Sequence, residues 1–126
     1  MGGFTFRKNE RITSRLLMEQ LFGGNKSRAI TAFPIRAIYL EVDRHGKDAP
    51  VQVLFSVSKR HFKHAVDRNR IKRQLREAYR LNKAMLPDVP EGRQLLIAFI
   101  WITDHHLSTP KVTAAVVKAL SKICKK

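Results

Sequence analysis

Residues 51–83 read VQVLFSVSKRHFKHAVDRNRIKRQLREAYRLNK, and a change of period inside that stretch decides the fold. Val51, Val53, Phe55 and Val57 alternate with Gln52, Leu54, Ser56 and Ser58, the period-two pattern of a strand. Further on, Ile71, Leu75, Ala78 and Tyr79 recur at steps of three and four, which predicts a helix over residues 67–86. Asp67 suits the cap at its start, and Pro87 and Pro90 break it. Beyond the prolines, Leu95 to Ile102 is β-rich and apolar on both faces, as expected of a central strand.

Working outward, Thr109 followed by Pro110 opens a last helix, with Val112, Val116, Ala119, Leu120 and Ile123 at helical spacing. On the N-terminal side the pattern turns to strand from Arg28. Ala32 to Val42 is apolar and β-branched, with Phe33, Ile35, Ala37 and Tyr39 on one parity. Pro34 implies an edge position or an irregular start. The polar turn at residues 43–50 then predicts that this strand and the one from Val51 form a hairpin. Ser14 to Phe22 reads as a short amphipathic helix: Thr13 or Ser14 caps it, Leu17/Leu21 and Met18/Phe22 are i,i+4 pairs, and Gly23-Gly24 ends it. The expected fold is α+β, a single-domain sandwich over residues 1–126 in the order α-β-β-β-α-β-α, its sheet packed by helices and residues 1–12 a flexible N-terminal segment.

Charge narrows the function. Lys and Arg total 25 against 10 acids, a formal net charge of +15. Self-repulsion on that scale opposes folding and points to a polyanionic partner. Residues 59–83 alone hold ten Lys/Arg and two acids, so +8 of the +15 is focused in one segment. At ~100° per residue from Arg68, Ala78, Ile71 and Leu75 fall near ~280–340° and Tyr79 at ~20°. Arg68, Asn69, Lys72, Arg73, Arg76, Arg80 and Lys83 fall between ~0° and ~140°, a cationic ridge beside the core face. A merely solvated face mixes signs to limit repulsion, and this one does not. Arginine also argues for nucleic acid over a membrane surface. Its planar fork matches phosphate and stacks on bases, whereas an interfacial helix would show bulky apolar residues beside the basic ones.

The run Phe55-Ser56-Val57-Ser58-Lys59-Arg60, followed by Ala65-Val66-Asp67-Arg68-Asn69-Arg70-Ile71-Lys72-Arg73, resembles the signature of the bacterial ribonuclease P protein family. The likeness covers nearly the whole chain. It implies a fold similar to domain 2 of ribosomal protein S5, in which the basic helix joins two parallel strands by a left-handed crossover. It implies that Lys59, Arg60, Arg68, Asn69, Arg70, Lys72, Arg73, Arg76 and Arg80 face a large catalytic RNA, the ribonuclease P RNA. Arg70 lies off the ridge, near ~200°, so it either reaches RNA around the helix end or braces the preceding turn.

The family also holds the single-stranded 5′ leader of precursor tRNA in a cleft between the first helix and the sheet, a stacking platform with a cationic rim. The matching positions here are Met18, Phe22, Phe33 and Arg36. Met18 and Arg36 stand where relatives often carry aromatics, and plain core packing is the competing reading of Phe22 and Phe33. The resemblance further implies that hydrolysis belongs to the partner RNA and its magnesium ions, with no catalytic residue and no cofactor or metal site in this chain.

Other constellations carry less. His61, His64, His105 and His106 show no recognisable metal-ligand spacing. The acids are too few and scattered for a two-metal nuclease centre, and no phosphate loop or Ser-His-Asp arrangement can be picked out. The single Cys124 precludes an internal disulfide, and neither a signal peptide nor an apolar run of membrane-spanning length is found. The expectation is a cytoplasmic protein with no membrane association and no obligate protein partner. Its rivals are a structural RNA-binding protein, such as a ribosomal component, and a protein-only nuclease.

Overall fold

The computed structural model describes residues 10–12, 14–23, 26–43, 49–86 and 88–124. The elements run α1 (Arg15–Gly23), β1 (Arg28–Ala32), β2 (Ile35–Asp43), β3 (Val51–Ser56), α2 (Ala65–Asn82), β4 (Arg93–Trp101) and α3 (Thr109–Cys124), with a 3-10 turn, Lys83–Met85, closing α2. This is the α-β-β-β-α-β-α order expected from the sequence.

The four strands form one sheet in the order β1-β2-β4-β3. β4 lies inside it, antiparallel to β2 and parallel to β3, and its core-forming run Leu95–Phe99 is buried on both faces. Its insertion corrects the expected hairpin: β2 and β3 do not pair, because the nine residues of β2 are matched one for one with β4, from Ile35↔Trp101 to Asp43↔Arg93. The real hairpin is β1–β2, turning at Phe33-Pro34, whose peptide bond is cis. Phe33 therefore sits in the turn and not on a strand, and it is exposed while Ile35, Ala37 and Tyr39 are buried.

Two layers of helix cover the sheet. On one face Ile71, Leu75, Ala78 and Tyr79 of α2 and Val112, Val116, Ala119, Leu120 and Ile123 of α3 are buried with Ile35, Ala37, Val53, Ile97, Phe99 and Trp101. Every apolar position assigned to these two helices from spacing is thus in the core. On the other face Leu17 and Leu21 of α1 close over Leu96 and Ala98, with Ile38, Leu40 and Leu54 packed alongside. Ser14 caps α1, its Oγ accepting the Leu17 N–H at 3.3 Å. Arg11 and Ile12 fall in the segment expected to be flexible, yet Arg11 bridges Val53, the Ile12 N–H bonds the Val53 carbonyl at 3.1 Å and the Ile12 side chain is buried. Residues 1–9 lie outside the described residues.

α2 begins at Ala65, two residues before the sequence suggested. His64 is the extended residue before its first turn and makes no side-chain cap. Asp67 is inside that turn, where its charge suits the helix dipole, and its Oδ1 lies 3.3 Å from Nε2 of His106.

Candidate nucleic-acid interface

The basic segment is presented by the strand-to-helix junction. The Ser58 carbonyl accepts the N–H groups of His61 and Phe62, and Ser58 Oγ accepts the N–H of Arg60 at 2.9 Å, forming a turn that leaves Lys59 and Arg60 exposed. Phe62 anchors it from below, buried and 4.8 Å from the His106 ring. Arg68 holds it from above: one Nη1 donates to the Phe62 carbonyl at 2.9 Å and to the Lys63 carbonyl at 3.0 Å. Of the two alternatives for Arg70, the brace is made by Arg68 instead, while Arg70 is exposed.

Along α2 the burial of Ile71, Leu75, Ala78 and Tyr79 turns the opposite flank outward. Asn69, Arg70 and Arg73 are exposed, and Lys72 and Arg76 partly so. None of the four cations in that set makes an ion pair among the described residues. Arg80 differs, because its guanidinium binds both Glu77 carboxylate oxygens, at 2.8 and 3.1 Å. That bond holds the Glu77 carboxyl below its ordinary range. Tyr79, beneath the ridge, has its phenol pushed up by burial, with the Glu10 charge adding to the shift.

The opposite face of the sheet contains a second feature. Strand register aligns Thr31, Arg36, Ile100 and Ser56 across β1, β2, β4 and β3 in one row. By the alternation of side chains this row faces the α1 side, one step beyond Ile38, Ala98 and Leu54, which α1 covers. Thr31 and Arg36 are exposed and Ile100 and Ser56 half-buried, so the end row is open. Met18 is half-buried against the sheet beneath α1. Phe22 is 47% and Phe33 66% exposed, which removes core packing as the account of either ring. Neither ring stacks on another among the described residues.

Sequence reasoning found Arg36 in this row but missed Thr31, Ser56 and Ile100. Their alignment depends on pairing between distant strands, which local periodicity does not encode. Ser56 ends β3, and the chain then rounds the sheet edge through Ser58–Lys63 into α2, so the open row and the cationic ridge meet at one end of the molecule. Among the described residues no three His, Cys, Asp or Glu side chains form a group that could hold a metal ion. Among them also, no helix is long and apolar enough to cross a membrane.

The fold is an α+β domain in which one helix over a single sheet turns outward a flank of cations that lack ion pairs among the described residues. A family model described as Ribonuclease P matches residues 6–124. The ribonuclease P protein component of Porphyromonas gingivalis is 39% identical over 122 residues, covering 95% of this chain and 87% of its own. That of Chlorobaculum tepidum is 50% identical over 58 residues, 41% of this chain and 38% of its own. The chain belongs to the Ribonuclease P family. Among solved structures, the RNase P protein from Thermotoga maritima superposes with a TM-score of 0.68 at 16% identity, covering 92% of this chain and 97% of that one. The RNase P protein of Staphylococcus aureus does so with 0.63 at 18%, covering 92% and 95%. These two likenesses establish the fold alone.

Proposed function

We propose that this chain is the protein subunit of a ribonucleoprotein ribonuclease P, binding the catalytic RNA through α2 and the 5′ leader of precursor tRNA over the open row of the sheet. The observation that carries the reading is the unpaired set Arg70, Lys72, Arg73 and Arg76 on a helix whose other side is fully committed to the core. Such a ridge is stabilised when phosphates replace the counterions around it. Lys59 and Arg60 extend the same charge around the sheet end toward the row containing Arg36. There the Arg36 guanidinium and the exposed Phe33 ring of the adjoining turn offer stacking surfaces to unpaired bases, and α1 adds a second exposed ring, Phe22.

In this reading the protein raises substrate affinity and supports the folded RNA, while phosphodiester hydrolysis is performed by the RNA with magnesium ions that it holds. No residue of the chain is assigned a catalytic role, and the partners are the catalytic RNA and precursor tRNA, met in the cytoplasm. The ridge is tested with an Arg70→Gln/Arg73→Gln/Arg76→Gln variant, measuring affinity for a bacterial ribonuclease P RNA across a salt series. The slope of log K against log salt falls by about two to three units if each arginine neutralises one phosphate. An unchanged slope removes α2 from the RNA interface.

A further inference from the structure

Outside α2 the most one-sided helix is α3. Its sixteen residues contain Lys111, Lys118 and Lys122 and no acid. At ~100° per residue the three lysines fall within about 40° of one another, a stripe about 16 Å long at ~1.5 Å of rise per residue. All three are exposed, and none makes an ion pair among the described residues.

The direction of the stripe follows from the rest of the helix. The buried residues centre about 110° from Lys111, with Thr113, Val117 and Cys124 half-buried on the far flank and the lysines on the near one. Cys124 Sγ donates to the carbonyl of Met85, in the turn that closes α2, at 2.9 Å. The half-buried flank therefore faces α2, and the lysine flank faces away from it, toward the sheet edge formed by β1, against which α3 packs. Exposed Lys26 and Arg28 stand at the C-terminal end of the same helix, sharing a groove with Ile123 and Cys124. Asp88 and Glu41 also line that groove, Glu41 being held by Arg93 at 3.2 Å.

We propose that this flank of α3 is a second phosphate-contact surface, engaging a segment of the catalytic RNA backbone other than the one on α2. The inference rests on the RNA-binding reading above. The helix body, about 10 Å across, stands between the two surfaces, so one stretch of backbone does not lie along both. Lys118 and Lys122 are like charges one helical turn apart with no acid three or four residues away on α3, an arrangement unfavourable in isolation and relieved by phosphate. Lysine heads on mobile stems meet phosphates as point charges without reading bases, so the surface contributes affinity and not sequence choice.

α3 covers the same sheet face as α2, opposite the row proposed for the leader, so the phosphates are those of the catalytic RNA, and two titrations test this against precursor tRNA. A Lys111→Gln/Lys118→Gln/Lys122→Gln variant and its Lys-to-Arg counterpart are titrated with ribonuclease P RNA. Each reconstituted holoenzyme is then titrated with precursor tRNA, both across a salt series. The Gln variant lowers the log K against log salt slope by about two to three units in the ribonuclease P RNA titration, and the Arg variant restores it. A slope that changes only in the precursor tRNA titration overturns the assignment to the catalytic RNA. Slopes unchanged in both, with the wild-type chain binding normally, overturn the second surface and leave the proposed function standing. A wild-type chain that binds neither RNA overturns both.

Discussion

Replacing Arg68 separates bracing from phosphate contact, because its guanidinium spends one nitrogen on two backbone carbonyls of the turn that displays Lys59 and Arg60. Arg68→Ala removes both bonds and leaves the partly buried Phe62 carbonyl without that donor. Charge-assisted bonds contribute about 1.5–3 kcal/mol each when well shielded. This pair shares one donor atom and lies half in solvent, so the loss in stability is about 1–2 kcal/mol. For a chain of this length that lowers the thermal midpoint by roughly 3–8 °C. Arg73→Ala, on an exposed side chain without a partner, changes stability by no more than about 0.5 kcal/mol. Arg68→Lys keeps the charge and one donor nitrogen, so it retains the salt dependence of RNA binding and loses less stability than Arg68→Ala. Thermal unfolding followed by circular dichroism, with salt-series binding on the same three proteins, reads both quantities. An Arg68→Ala midpoint within a degree of wild type, with RNA binding reduced as in Arg73→Ala, would refute the brace and return Arg68 to the phosphate contacts.

Two further perturbations test other parts of the structure. Phe22→Ala, on a ring that is 47% exposed, leaves the thermal midpoint nearly unchanged and weakens precursor tRNA binding by about 1–3 kcal/mol per lost stacking contact, while mature tRNA, which lacks the leader, is unaffected; equal losses for both substrates would remove Phe22 from the leader site. Burial raises the Tyr79 phenol above the ordinary value of 10.0, so above that pH the unfolded chain releases a proton that the native state keeps and stability falls with rising pH, by about 1.4 kcal/mol per unit. Urea midpoints between pH 9 and 11 show a shallower decline for Tyr79→Phe than for wild type, and parallel declines would contradict the shift.

The elements that the sequence disclosed are those whose physics is local. In α2 and α3 the apolar spacing, the charge and the flanking Pro or extended residue all agree, and every assigned core position is buried. The error at the start of α2 came from Asp67, a residue as suited to a first-turn position beside His106 as to a cap. The mistaken hairpin has a different cause. A polar turn between two alternating strands suggests local pairing, but β4, some sixty residues along from β2, is apolar on both faces and is stabilised only between two neighbours. Phe33 shared the parity of Ile35, Ala37 and Tyr39 until the turn at Pro34 broke it. The site divides similarly. The ridge is a helical period and was legible, whereas the row Thr31–Arg36–Ile100–Ser56 exists only once three strand registers are set. The role of Arg68 depended on where the preceding carbonyls came to rest, which composition and spacing do not specify.

Precursor tRNA cleavage at low magnesium, using a bacterial ribonuclease P RNA with and without this protein, separates a ribonuclease P subunit from a structural RNA-binding protein and from a protein-only nuclease. Cleavage at the mature 5′ end is stimulated by the protein and requires both components if the chain is the subunit proposed. Tight RNA binding without stimulation, or cleavage by the repurified protein alone, would contradict that reading.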